Sequence, residues 1–179
     1  MTAKCTTLNI TDTELAASEV TLAATKALVN DIRTKLKGNY PITKTTLAIG
    51  STPANVSNVA FNFTIGGVQY AKAAVAAGTA PGNDVIPQNK YGAVALDIDS
   101  AGTITVAEAA ANATGYNTAL LAIAGIPAVA GTKARMGTVT AIKTDGAFTF
   151  GTTALNAANS TVVYTDGQTA FEAMGAAVA

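Results

Sequence analysis

Asp97, Asp99, Gly102 and Glu108 occupy positions one, three, six and twelve of a calcium-binding loop, with Ile104 at eight. Position five, which should supply an oxygen ligand, is Ala101. The flanks also argue against a cation. An EF-hand needs a helix on each side, whereas residues 93–98 and 103–107 alternate as strands. A hairpin turn over Asp99-Ser100-Ala101-Gly102 accounts for the same aspartates, so no metal site is assigned.

Other chemistry is short of carriers. The 179 residues contain no histidine, no tryptophan and one cysteine. Histidine titrates near neutral pH and is the commonest metal ligand, so its absence removes the usual general base. Serine and threonine are abundant, but no Ser-Lys pair stands out among them. There is no G-x-x-x-x-G-K-[ST] phosphate loop, and the acidic residues have cap, turn or surface roles. Cys5, alone, makes no internal disulfide and reads as a small buried residue. No catalytic residue, cofactor or metal is expected, and the chain reads as a non-enzyme.

Eleven basic and eleven acidic residues cancel, leaving no field to draw the protein to phosphate backbones or anionic lipid. Neither nucleic acid nor a membrane is expected as a partner. The start, Met-Thr-Ala-Lys-Cys, lacks the apolar core of a secretory signal. The longest apolar stretch, Ala119 to Ala130, is interrupted by Gly125 and Pro127 and too short to span a bilayer. A chain made in the cytoplasm is expected. Only 12% of residues are charged, a composition that costs a free monomer solubility and suits a permanent assembly.

The elements that would position contacts follow from periodicity. Residues 11–38 read as a helix: Thr11 and Glu14 form a capping box, and Arg33, Lys35 and Lys37 crowd the end before Gly38. Leu15, Leu22, Val29 and Leu36 recur at sevens and draw an apolar stripe. Ser18 and Thr25 interrupt a heptad seam, so the stripe is expected to lie on a sheet, its own or a neighbour's. After Pro41 the period becomes two. Residues 57–65 alternate, placing Val59, Phe61, Phe63 and Ile65 on one face, and Gly66-Gly67 turns the chain into a second strand over 68–76. That register sets Ile65 against Val68, Phe63 against Tyr70 and Phe61 against Lys72.

Residues 78–90 carry two prolines and two glycines and read as an ordered loop without regular structure. Its Val85 and Ile86 need cover, from the parent fold, which is the favoured case, or from a partner. Two further hairpins are expected, 91–107 around the turn at 99–102 and 136–151 around Asp145-Gly146, forming a faint repeat. Between them residues 117–124 suit a short helix ending at Gly125, and a last strand covers 160–165. The expected fold is mainly β with one N-terminal α-helix, an antiparallel β-sandwich or barrel built from hairpins. The segments are 1–40, an N-terminal strand and amphipathic helix; 41–167, the β domain; and 168–179, a loosely held tail.

The segments GGVQYAKAAVAAGTAPGNDVIPQNKYGAVALDI, ATGYNTALLAIAGIPA and GTVTAIKTDGAFTFGTT resemble virion structural proteins of tailed bacteriophages and prophages, over about residues 57–167. The resemblance implies a capsid decoration (cement) or head-fibre protein that binds the major capsid protein or other virion proteins. It further implies localisation in the virion and a homo-oligomer, with a homotrimer the favoured state. It brings no catalytic or ligand residues. The alternatives are a tail, baseplate or fibre component, and a host-adhesion or carbohydrate-binding module, which should show exposed aromatics for sugar stacking. Candidate interface residues are Leu15, Leu22, Val29, Leu36, Val85 and Ile86.

Overall fold

The computed structural model describes residues 21–27, 29, 30 and 38–169. The chain divides into two compact units, Met1–Thr34 and Lys35–Ala179. In the first, residues 21–27, 29 and 30 are helical, as the heptad spacing predicts. The capping box at Thr11 and the basic residues at 33, 35 and 37 lie outside the described residues, as does Cys5.

Among its described residues the second unit has twelve strands: β1 Tyr40–Pro41, β2 Ala48–Ile49, β3 Val56–Asn58, β4 Phe61–Ile65, β5 Val68–Lys72, β6 Val75–Thr79, β7 Val85–Ile86, β8 Tyr91–Asp99, β9 Ile104–Glu108, β10 Lys133–Lys143, β11 Phe148–Thr149 and β12 Ser160–Asp166. Every pairing is antiparallel, and the strands form four open sheets ordered β12-β10-β8-β9, β1-β4-β5, β2-β3-β6 and β11-β7. The fold is mainly β with antiparallel sheets, and among the described residues none closes into a barrel.

The β4–β5 hairpin has the expected register, with Phe61, Phe63 and Ile65 opposite Lys72, Tyr70 and Val68. Gly66 and Gly67 both take positive φ, 60° and 83°, as a two-residue turn matched to strand twist requires. The rings of Phe63 and Tyr70 stack at 5.5 Å. Phe63 is fully buried and Phe61 nearly so. Lys72 snorkels from this face to donate its ammonium to Gly102 O at 2.7 Å.

Three expectations are corrected. The strand over 57–65 breaks at Val59-Ala60 into β3 and β4, which join different sheets, and Val59 is exposed. The strand over 68–76 likewise divides into β5 and β6. The loop over 78–90 contains β7, and its partner is β11, so residues 136–151 do not form a hairpin with one another. β10 instead pairs with β8 and β12.

The four-stranded sheet is covered on both faces. Alternation along β8 sends Val94, Leu96 and Ile98 into the main core with Phe61, Phe63, Ile86, Met136, Val139, Phe148 and Phe150. It sends Ala93 and Ala95 to the opposite face, against Ala109, Ala122 and Ile126. A bulge at Met136 shifts the β10 register between Arg135 and Gly137. The Met136 carbonyl is satisfied twice, by the Thr45 hydroxyl at 2.7 Å and the Gly167 N–H at 2.6 Å.

Candidate interaction surface

The carboxylates with calcium-loop spacing go to separate tasks. Asp97 is 5% exposed and pairs with Arg135, accepting from Nε at 2.9 Å and Nη2 at 3.3 Å. Asp99 Oδ1 accepts the Ala101 and Thr103 N–H groups, each at 2.9 Å, and so closes the β8–β9 turn. Glu108 Oε1 takes the Asn83 N–H at 2.9 Å. Among the described residues no cluster of three acidic, cysteine or histidine groups converges.

Of the six candidate interface residues, Leu15 and Leu36 lie outside the described residues. Leu22 and Val29 are 53% and 47% exposed. Val85 is exposed, whereas Ile86 is fully buried in the main core. Ile86 is therefore removed from the candidates: β7 alternation turns it inward, beside Gly92, where an added Cβ would meet its Cδ1 at 2.2 Å. Leu22 and Val29 belong to the first unit and Val85 to the second.

A surface that the sequence reading missed lies on the outer face of the four-stranded sheet. Residues 109–126 cross it as a cap. Asn112 fixes the start, its Oδ1 accepting the Ala93 N–H at 3.0 Å and its Nδ2 donating to Ala93 O at 2.9 Å. Tyr116 bridges Tyr91 through paired backbone bonds, and its hydroxyl accepts the Ala111 N–H at 2.9 Å. A short helix, Ala119–Ala124, follows with Thr118 as N-cap, its hydroxyl accepting the Leu121 N–H. Gly125 ends it where a Cβ would strike the Tyr116 hydroxyl at 2.1 Å. Beyond it Arg135 Nη2 donates to Pro127 O at 2.8 Å, so the Asp97–Arg135 pair holds the chain leaving the helix.

This helix is seated by its small side. Ala122, fully buried, meets Ala93 and Ala95, and Ile126 packs beside them. Small residues on both partners let the backbones approach and turn the larger side chains outward. Leu120 is 79% exposed and Leu121 53%. Pro127, Ala128, Val129 and Ala130 continue the exposed apolar run, and no charge occurs from Asn117 to Gly131. Two adjacent leucines on a pinned helix differ from scattered surface apolars and make this the candidate contact surface.

Searches of family models, curated proteins and solved structures give no significant match to the chain. Among the described residues no helix is long and apolar enough to cross a membrane.

Proposed function

We propose that the protein is a bacteriophage virion structural protein, a capsid decoration protein that binds the head surface and stabilises it by contact area. The observation that carries the reading is the outward pair Leu120 and Leu121, held on a cap segment that Asn112 fixes at its start and Arg135, through the Pro127 carbonyl, fixes just past the helix. A fixed apolar surface loses little conformational freedom on association, which lowers one of the costs of binding. The phage assignment rests on the sequence resemblance over residues 57–167, and the major capsid protein is the partner it implies.

The test is co-sedimentation of the purified chain with empty capsids assembled from the major capsid protein of the same phage or prophage. Wild type is expected to pellet with the capsids and raise their melting temperature. Leu120→Asp plus Leu121→Asp should leave the circular dichroism unchanged, both positions being exposed, and weaken capsid binding by at least about a hundredfold, or about 2.7 kcal/mol. A wild-type chain that ignores capsids would sink the reading. Binding unaffected by the two aspartates would move the contact elsewhere on the molecule.

A further inference from the structure

We propose that β12 is a self-association edge: two copies of this chain pair antiparallel along Ser160–Asp166, centred on Val163, and join their four-stranded sheets into one of eight strands. The inference does not depend on the virion reading.

β12 ends the sheet order β12-β10-β8-β9, and among the described residues no strand pairs with its outer side. It therefore presents a row of backbone donors and acceptors, a template for another extended strand. Folded proteins usually guard such edges with lysine, proline, a bulge or a covering segment. The opposite edge of the same sheet, β9, is met at its end by the 83 loop, whose Asn83 N–H donates to Glu108 Oε1 at 2.9 Å. β5, an edge of another sheet, carries Lys72. β12 has seven residues, STVVYTD, with no proline, glycine, lysine or arginine and its one charge at the last position.

The sequence of β12 also selects its occupant. An antiparallel pair centred on Val163 sets Val163 against Val163, Val162 against Tyr164, Thr161 against Thr165 and Ser160 against Asp166. These are a β-branched pair, a β-branched–aromatic pair and a threonine pair, the cross-strand combinations that stabilise sheets. The register keeps each face consistent. Val162 and Tyr164, which pack against the main core, meet one another, while the exposed Thr161, Val163 and Thr165 meet one another. Charges agree as well. Asp166, the one charge of the strand, faces a serine rather than its own copy, and its carboxylate is held within its own chain by the Leu47 N–H at 2.8 Å and the Thr45 hydroxyl at 3.2 Å. In a twofold contact each of these pairs except the central one occurs twice, once on either side of the axis.

The experiment is sedimentation of the full chain across a concentration series, with circular dichroism as the folding control. Wild type is expected to form a dimer. Val163→Lys, at an exposed position, sets two ammonium groups face to face and should give a monomer with an unchanged β spectrum. Register is tested by a charge pair. Thr161→Lys plus Thr165→Lys opposes like charges at both crossings and should weaken dimerisation at least about tenfold, whereas Thr161→Lys plus Thr165→Glu opposes unlike charges and should keep it. A wild-type chain that stays monomeric at every concentration overturns the proposal. So does any oligomer that survives Val163→Lys, or equal behaviour of the two charge pairs.

Discussion

Asp97 is fixed in its role by its neighbours. Its oxygens are taken by Arg135, and Arg135 in turn holds the Pro127 carbonyl. The calcium-loop spacing around it is legible in the sequence, and so is the objection, because strands rather than helices flank it. What the sequence does not show is the cation that answers Asp97: Arg135 stands 38 residues away and meets it only through the β8–β10 register. Bound calcium at a hundredfold excess over Kd would add about 2.7 kcal/mol of stability, so a site would be visible in a melting curve. No calcium-induced rise in melting temperature is expected; a rise that vanishes in Asp97→Ala plus Asp99→Ala would contradict this. Asp97→Asn should lower the unfolding free energy in urea by about 1 to 3 kcal/mol, nearer the low end because the Arg135 side chain is 26% exposed. Asp145 shows a charge effect at the surface. Hydrogen bonds from the Lys143 ammonium and then from Asn159 hold its carboxyl below the ordinary 3.8, against a small opposing effect of desolvation. A carboxyl lowered in the folded state contributes stability that is present above its unfolded value and lost as pH falls through the folded one, so the loss lies in the acid range below 3.8. Titration by NMR should place the Asp145 midpoint under that value in wild type and raise it in Lys143→Met.

Local elements were the more legible ones. The β4–β5 register, though not the extent of its strands, is legible because the alternation, the Gly66-Gly67 turn and the aromatic pair all lie within a dozen positions and agree. Phe63→Ala is accordingly expected to cost about 3 to 5 kcal/mol in chemical denaturation. Near-wild-type stability in that variant would mean the ring is not part of the core. The 136–151 segment shows the limit. Asp145-Gly146 carries a turn signal, but Phe148 and Phe150 are buried most completely when β11 pairs with β7, some sixty positions earlier. Burial of two phenylalanines outweighs a local turn preference, and no short-range pattern reports the distant partner. The helix over 117–124 was legible from Gly125 and Pro127, yet its orientation was not. Six residues are too few to define an apolar face, and what decides it is the pair of alanines on β8, which admit Ala122 and turn Leu120 and Leu121 out. The clamp that seats this cap is Asn112, 1% exposed. Asn112→Ala leaves both backbone groups of Ala93 without their side-chain partner and should cost about 2 to 4 kcal/mol. Hydrogen exchange should then quicken over residues 109–126 and stay slow in β10.

At the scale of the molecule, charge and hydropathy set the conditions for assembly without naming a partner. Eleven charges of each sign and a sequence pI near 6.2 remove long-range repulsion between copies, so contact surfaces such as β12 and the Leu120 helix meet no electrostatic barrier. The buried residues of the main core run from Leu47 to Leu155, within the second unit. Leu22 and Val29, seven positions apart on the described helix, are each about half exposed. A charge at an exposed site away from caps and buried networks changes stability by no more than about 0.5 kcal/mol. Leu22→Asp plus Val29→Asp should therefore leave the thermal midpoint and β spectrum of the chain within that range of wild type. A core contact would behave otherwise, since burying two unpaired carboxylates costs several kcal/mol and would lower the midpoint steeply. Sedimentation of the same variant separates the two surfaces. Because β12 belongs to the second unit, a dimer formed along it should persist with both aspartates in place, and its loss would assign the association to the Leu22 and Val29 stripe instead.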